Sequence, residues 1–312
     1  MLKFIAKRLL QTIIVLIISS ILIFAFVRMS PTDPVSVILG GKETSQETLN
    51  AVRASFNLDK PVAEQYFIWI LGMLHGQMGL SFKYQTDVSG LLAGRLSITL
   101  GLVCMASIIA LLIAIPLGIL CAMKKHSIFD KTATIFILII NGCPAFLTSI
   151  LLVLIISKVD PTYPFVGTYS STAEYFQRLL LPSVALSFTM IALAMRVIRS
   201  SMIEQMSNPY TLTAIAKGMS RGQVVLHHNL KNAVIPVISV VSIQIGSMVV
   251  GAVLVENVFS LGGLGTLLVD SIKTSDYAVV QTITMLLIFM FLIISTLADI
   301  LYAVLDPRIR AH

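Results

Sequence analysis

The chain has 312 residues, 56% of them hydrophobic and 12% charged, with a formal net charge of +7. A soluble domain carries about 25% charged residues, so this composition, with its mean hydropathy of +0.92, excludes an ordinary soluble globule and points to a membrane protein. The basic residues are scattered among apolar runs, which argues against a nucleic-acid partner and makes their placement a matter of topology.

Crossing a bilayer as a helix takes about 20 mostly apolar residues, because hydrocarbon offers backbone groups no hydrogen-bond partner. Six uncharged segments meet or approach that length: 9–27, 96–123, 132–157, 179–195, 232–255 and 277–298, the fourth being the shortest. The first follows Lys3, Lys7 and Arg8 as in a signal peptide. It is longer than an h-region, however, and no small-residue cleavage pattern follows, so it reads as a retained span. Segment 29–95 holds helical pieces at 45–56 and, after Pro61, at 62–74. Gly72, Gly76 and Gly79 then loosen the chain, which predicts a small external helical subdomain before the second span.

Six spans put both ends on one side of the membrane. The N-terminus, the 124–131 and 196–231 loops and the C-terminal tail 306–312 together hold thirteen basic and three acidic residues, whereas segments 28–95, 158–178 and 256–276 hold nine and eleven. The basic excess predicts that both termini are cytoplasmic. In the second span Ala106, Ala110, Ala114 and Gly118 form a four-residue stripe that lets another helix approach closely, in a partner subunit or in this chain. Pro116 there and Pro144 in the third span each remove an intrahelical hydrogen bond and predict kinks. Cys104, Cys121 and Cys143 lie inside apolar runs without metal or disulfide spacing.

Between the fourth and fifth spans the chain turns polar. Asn208-Pro209 reads as a helix start, with Asn as cap and Pro at the first helical position, and Gly218 as a left-handed stop after Lys217. Ser220 and Gln223 have capping-box spacing, and Met219 with Val224 fits a hydrophobic staple. The expectation is two short helices joined by a tight turn, a rigid projection suited to docking or a basic surface on lipid headgroups. His227 and His228 point about 100° apart on a helix and so chelate poorly together.

Polar groups that could face a translocation pathway are Asn141 and Thr148 on the third span and Ser239, Ser242, Gln244 and Ser247 on the fifth. No ionisable residue lies well inside a span, Asp299 being near the inner end of the sixth. That argues against a proton relay and against a self-sufficient ion-coupled transporter. Gly40-Gly41-Lys42-Glu43 lacks the distal Gly and the hydroxyl of a phosphate loop, and no H-E-x-x-H or G-x-S-x-G occurs, so the chain reads as no enzyme.

The pattern A-x-A-K-G-x-S at 214–220, with L-x-N-A-x-x-P at 230–236, resembles the cytoplasmic EAA loop of ABC importer permeases of the dipeptide, oligopeptide and nickel family. The likeness runs along the chain through Arg8 with Gln11, residues 31–34, 56–61, Gln65-Tyr66, Gly79-Leu80-Ser81, 115–118, 256–260, 263–265 and 305–310. Thr213 stands where the general motif has Glu, Lys231 where it has Pro, and Gly262 where this subfamily commonly has Pro, which bears on the shape of the turn before the last span.

The resemblance implies an all-α integral membrane protein of six transmembrane helices with the type I ABC importer permease fold. It divides the chain into a first helix (1–28), an extracytoplasmic subdomain (29–95), a transmembrane domain (96–305) containing the coupling loop 199–232, and a cytoplasmic tail (306–312). It further implies a cell-membrane permease that pairs with a second homologous permease and two ABC ATPases and receives solute from an extracytoplasmic binding protein. No cofactor would be bound by this chain; ATP and Mg would sit on the ATPase subunits. The ATPase contact would centre on Ala214, Ile215, Ala216, Lys217, Gly218, Met219, Ser220, Arg221 and Gln223. Di- and oligopeptides are the implied solutes, with nickel or a metal chelate as alternative.

Overall fold

The computed structural model describes residues 1–29, 35, 45–55, 57–163, 165 and 171–305. The motif residues 31–34 and 40–43, Phe56 and the tail 306–312 lie outside them. Helix α1 (Leu2–Arg28) is followed by α2 (Gln46–Ser55), α3 (Val62–Leu74) and the short α4 (Val88–Leu92), close to the helical pieces expected of the subdomain. Then come α5 (Arg95–Met123), α6 (Ile128–Asn141), α7 (Ala145–Val159) and α8 (Thr172–Met206). The chain ends with α9 (Pro209–Ala216), α10 (Arg221–Val224), a π segment (Val225–Asn229), α11 (Leu230–Phe259), α12 (Leu264–Lys273) and α13 (Tyr277–Leu305). Large apolar side chains such as Leu10, Ile13, Ile17, Phe26, Leu112, Ile135 and Leu297 stay exposed, as a lipid-facing surface requires.

The third span corrects the expectation of one kinked helix. It is two helices, α6 and α7, bent by 102° at Gly142-Cys143-Pro144. Proline disfavours helical geometry in the residue before it, and Pro144 itself is the extended cap of α7 (ψ 146°). Pro116, Pro182 and Pro236, by contrast, sit inside continuous helices. At ~1.5 Å per residue α6 and α7 are each only about 22 Å long, short of the ~30 Å hydrocarbon layer.

Contacts with α8 show that the broken pair crosses once. Helices α5 and α8 run parallel: Tyr175, early in α8, donates to the Ser97 carbonyl early in α5 (3.0 Å), while a Cβ on Gly118, late in α5, would lie 2.7 Å from Ile198, late in α8. The chain must therefore climb back between them. Asp130 at the start of α6 pairs with Arg199, Thr148 of α7 approaches the Ala185 carbonyl (3.5 Å), and Tyr163 beyond α7 donates to the Gln177 carbonyl (2.8 Å). Six crossings result, by α1, α5, the α6–α7 pair, α8, α11 and α13, and the first and last helices meet at one end through Arg8–Asp299 (2.9 Å) and Thr12–Thr296 (2.8 Å).

The small-residue stripe is used within this chain. Ala106, Ala110 and Ala114 are fully buried and Gly118 abuts Ile198 and the Met195 carbonyl, so the stripe seats α8, which is longer than the expected fourth span at both ends. Polar clamps close the two ends of this core. At the end bearing the termini, Arg199 donates to both carboxylate oxygens of the buried Asp130 (2.5 and 2.7 Å), which also accepts the His126 N–H (2.9 Å). At the other end Glu256, wholly buried, accepts from the Thr99 hydroxyl (2.6 Å) and the Gly265 N–H at the start of α12 (2.7 Å), where the helix dipole favours an anion. Gly263 and Gly265 permit this, since a Cβ on either would collide with Glu256 or the Val253 backbone. Gly262 has φ +72° and its carbonyl accepts from Arg95 (3.3 Å). Proline cannot adopt that φ, so the turn before the last span differs in shape from a Pro-bearing one.

The pieces between α1 and α5 are fastened to the start of α13. Asp276, also fully buried, accepts from the Ser81 hydroxyl and from the Phe82 and Lys83 N–H groups (3.1 and 3.2 Å), and Thr282 donates to the Met78 carbonyl (3.1 Å). Removing one partner of a buried ion pair strands the other, at a cost of about 3 kcal/mol. Asp130→Ala should therefore lower the unfolding stability of the full chain in detergent by about that amount. Joining Asp130→Leu with Arg199→Leu should recover most of the loss.

Candidate functional site

The polar stretch between the fourth and fifth spans forms a projection at the end that carries both termini. Helix α8 runs on beyond the apolar run into it, and α9 begins with Pro209 at its first position as expected. The Asn208 side chain does not cap: its amide donates to Gln205 Oε1 (3.2 Å), and the backbone carbonyl of Asn208 takes the Thr211 N–H (3.0 Å). Helix α9 ends at Gly218 (φ +89°), whose N–H reaches the Ile215 carbonyl (2.9 Å) while the Met219 N–H reaches that of Ala214 (3.3 Å). These two bonds are the Schellman stop that a left-handed glycine allows. Nothing lies within 4 Å of where a Gly218 Cβ would be, so the backbone angle alone demands glycine here.

The next start is the expected capping box. Gln223 Oε1 accepts the Ser220 N–H (3.1 Å) and Ser220 Oγ accepts that of Gln223 (3.4 Å), with Val224 buried behind a half-buried Met219. The second short helix expected of this stretch is instead the beginning of a long one. Helix α10 passes through the π segment straight into α11, so the box caps the first turn of the fifth span itself. The π turn buries Val225 and Asn229, and Asn229 Oδ1 lies 2.9 Å from the Thr211 hydroxyl of α9. Tyr210 donates to Gln205 Oε1 (2.9 Å) and accepts from Asn232 (3.3 Å). Three side chains of α8, the π segment and α11 thus hold α9 in place, and the projection is rigid.

Its outer surface is apolar as well as basic. Leu212 is 69% exposed, Leu226 57% and Ile215 39%, alongside exposed Ala216, Lys217, Gly218, Ser220, Arg221 and Gln223. Ala214 is buried on the opposite face of α9, with Thr211. Leu212 is a residue that motif reading missed; its i, i+3 spacing from Ile215, across the helix from Thr211 and Ala214, is the signal that could have found it.

The polar residues considered for a pathway are not gathered into one site. Asn141 is exposed at the break between α6 and α7, whereas Thr148 is buried, bonded to the Ala145 carbonyl (2.8 Å) and turned toward α8. Ser242 and Ser247 return their hydroxyls to the carbonyls four residues back, at 2.7 and 3.2 Å, and Ser239 and Gln244 are half-buried. Ser247 does share an open stripe of α11 with Ile243, Val250 and Leu254.

Residues 114–311 match the family model of the binding-protein-dependent transport system inner membrane component, and residues 1–103 match that of the N-terminal part of the same membrane component. The chain belongs to this permease family. Its similarity to the dipeptide transport system permease protein DppB of Escherichia coli (strain K12) is 35% identity, covering 99% of each chain. A probable peptide ABC transporter permease protein of Sinorhizobium fredii, y4tP, is 34% identical over 98% of this chain and 99% of the relative. The glutathione transport system permease protein GsiC of Escherichia coli O6:H1 is 35% identical over 99% of each. The protein is thus a multi-pass membrane permease of the ABC importer class.

In this permease the left-handed φ of Gly218 is unavailable to a β-branched residue without strain of about 1–2 kcal/mol. Gly218→Val should speed amide hydrogen exchange across 209–224 while shifting global thermal unfolding little. Gly218→Asn, which tolerates that φ, should exchange nearly as slowly as the parent.

Proposed function

We propose that this permease forms half of a translocation pathway for di- and oligopeptides, working by alternating access, and that the α9–α10 projection seats in a groove of a partner ATPase. The observation that carries this reading is a doubly capped projection, fastened by side-chain hydrogen bonds, with exposed apolar side chains on its outer surface. A loop lying on lipid headgroups has no need of a Schellman stop, a capping box and side-chain fastening, whereas a lever that transmits movement does.

On this reading two ATPases bind ATP and Mg, which this chain does not, and a second homologous permease and an extracytoplasmic binding protein complete the importer. Closure of the ATPases moves the projection, and α8 and α11 carry that movement into the bundle. The basic excess of the terminus end supports a cytoplasmic position for the projection. The open stripe of α11 that includes Ser247 then faces the pathway or the second permease, with Asn141, Thr148, Ser239, Ser242 and Gln244 as further candidates along it. Relatives named for dipeptide, peptide and glutathione transport support a peptide solute ahead of nickel or a metal chelate.

Leu212→Ser combined with Ile215→Ser removes exposed apolar contact without touching the core. Solute-stimulated ATP hydrolysis by the purified complex, and uptake by cells, should fall about tenfold, the loss of an interface anchor worth ~1.4 kcal/mol. Unchanged uptake at unchanged membrane abundance would sink the coupling role.

A further inference from the structure

At the end of the bundle opposite the termini lies a cavity of about 270 Å³, between the end of α1, helix α3, the 77–82 segment and the start of α13. Four of its lining residues carry a buried polar atom without a hydrogen-bond partner: Arg28 Nε, Gln65 Oε1, Trp69 Nε1 and Gln281 Nε2. Gln65 and Gln281 are only 8% and 7% exposed. Gln65 spends its amide nitrogen on the Lys60 carbonyl (2.8 Å), which leaves its oxygen as the free group. Leaving such atoms unpaired costs about 1–3 kcal/mol each, and four around one space are the imprint of an occupant.

The chemistry of the occupant can be read from the set. Three of the four atoms are donors, one belongs to a guanidinium, and no Asp or Glu is found among the described lining residues. Such a site suits an oxyanion, and the lone acceptor, Gln65 Oε1, suits a hydroxyl or ammonium attached to it.

Position supplies the rest. Helix α3 is apolar yet too short to span, and it exposes Phe67, Leu71 and Leu74, while α1 exposes Leu22 and Phe26 beside it. Phe24, Tyr66 and Trp69 pack edge-on or tilted against one another with ring centroids 5.5–6.2 Å apart, and Tyr66 shares a hydrogen bond with Ser20 (2.9 Å). Tyrosine and tryptophan gather where headgroups meet hydrocarbon. We propose that this cavity binds the phosphate of a phospholipid whose headgroup carries a hydrogen-bond donor, such as glycerol or ethanolamine, with the acyl chains along the exposed faces of α1 and α3. The bound lipid fastens the external helices to the first and last spans.

Trp69 is the chain's single tryptophan, so its emission reports on the site directly. The delipidated full chain in detergent would be titrated with short-chain phosphatidylglycerol, phosphatidylcholine, diacylglycerol and inorganic phosphate. Phosphatidylglycerol should saturate the Trp69 signal, phosphatidylcholine, which lacks the headgroup donor, should bind about tenfold more weakly, and diacylglycerol should give no saturable change. Arg28→Gln and Gln281→Leu should each weaken phosphatidylglycerol at least tenfold, and Gln65→Met should erase the preference over phosphatidylcholine. Arg28 is half-exposed, so its replacement keeps the experiment informative if Gln281→Leu does not insert stably. Equal response to diacylglycerol, or variants that titrate like the parent, would overturn the site. Saturation by inorganic phosphate as tight as by the lipid would overturn the lipid as its source.

Discussion

Within hydrocarbon no water can take up a free N–H or C=O, so every departure from helical hydrogen bonding must be covered by protein or lie outside the membrane. This constraint explains where the permease allows its backbone to break. The Gly142-Cys143-Pro144 break is flanked by helices whose course follows α8, and the π segment is packed against α9 through Asn229 and Thr211. The turn between α11 and α12 has its first amides answered by Glu256 and by the Thr99 hydroxyl. The π segment and the α11–α12 turn are answered by protein side chains, whereas Gly142 and Pro144 are exposed at the third-span break, and each of the three changes the direction or phase of a span.

A second regularity follows from the first. Between its two ends the bundle core is held chiefly by close apolar packing, with Ala106, Ala110, Ala114 and Gly118 drawing α5 onto α8. The buried charges Asp130, Glu256 and Asp276 belong to clamps near the two ends, where desolvation is offset by several hydrogen bonds at once. Between the clamps the interhelical hydrogen bonds are few and long, such as Ser183 to the Leu102 carbonyl and Thr148 to the Ala185 carbonyl (both 3.5 Å), so apolar contact sets the fit there.

Much of this was legible in the sequence because it depends on short-range rules. Span positions follow from uncharged length, the Gly218 stop from a residue type that alone tolerates its φ, and the Ser220–Gln223 box from spacing. The unread parts depend on distant partners. A proline between two apolar runs can kink or break a helix, and only the contacts of α6 and α7 with α8 select a bend of 102°. Whether Asn208 caps α9 turns on competition from Gln205, three residues upstream on another helix. The stripe on α5 could have served a partner subunit, and nothing local says that Ile198, eighty residues later, fills it. Ala214 and Leu212 trade places as interior and surface because the phase of α9 is set by Thr211 and Asn229.

Helix α8 is where these threads join. It packs along α5 and α11, carries Arg199 of one clamp, guides the broken third crossing, and continues past the apolar core to supply Gln205 to the base of the projection. The capping box, meanwhile, begins the fifth span itself, without an intervening hinge beyond the π segment. The projection is therefore joined to α8 by side-chain hydrogen bonds and to α11 by continuous helix. The π segment widens the helical turn on that second route, with the Leu230 N–H reaching the Val225 carbonyl and Asn229 bonded to Thr211 of α9. Helix α9, which exposes Leu212 and Ile215, is thus tied to α8 through Gln205 and to the π segment and α11 through Asn229 and Asn232.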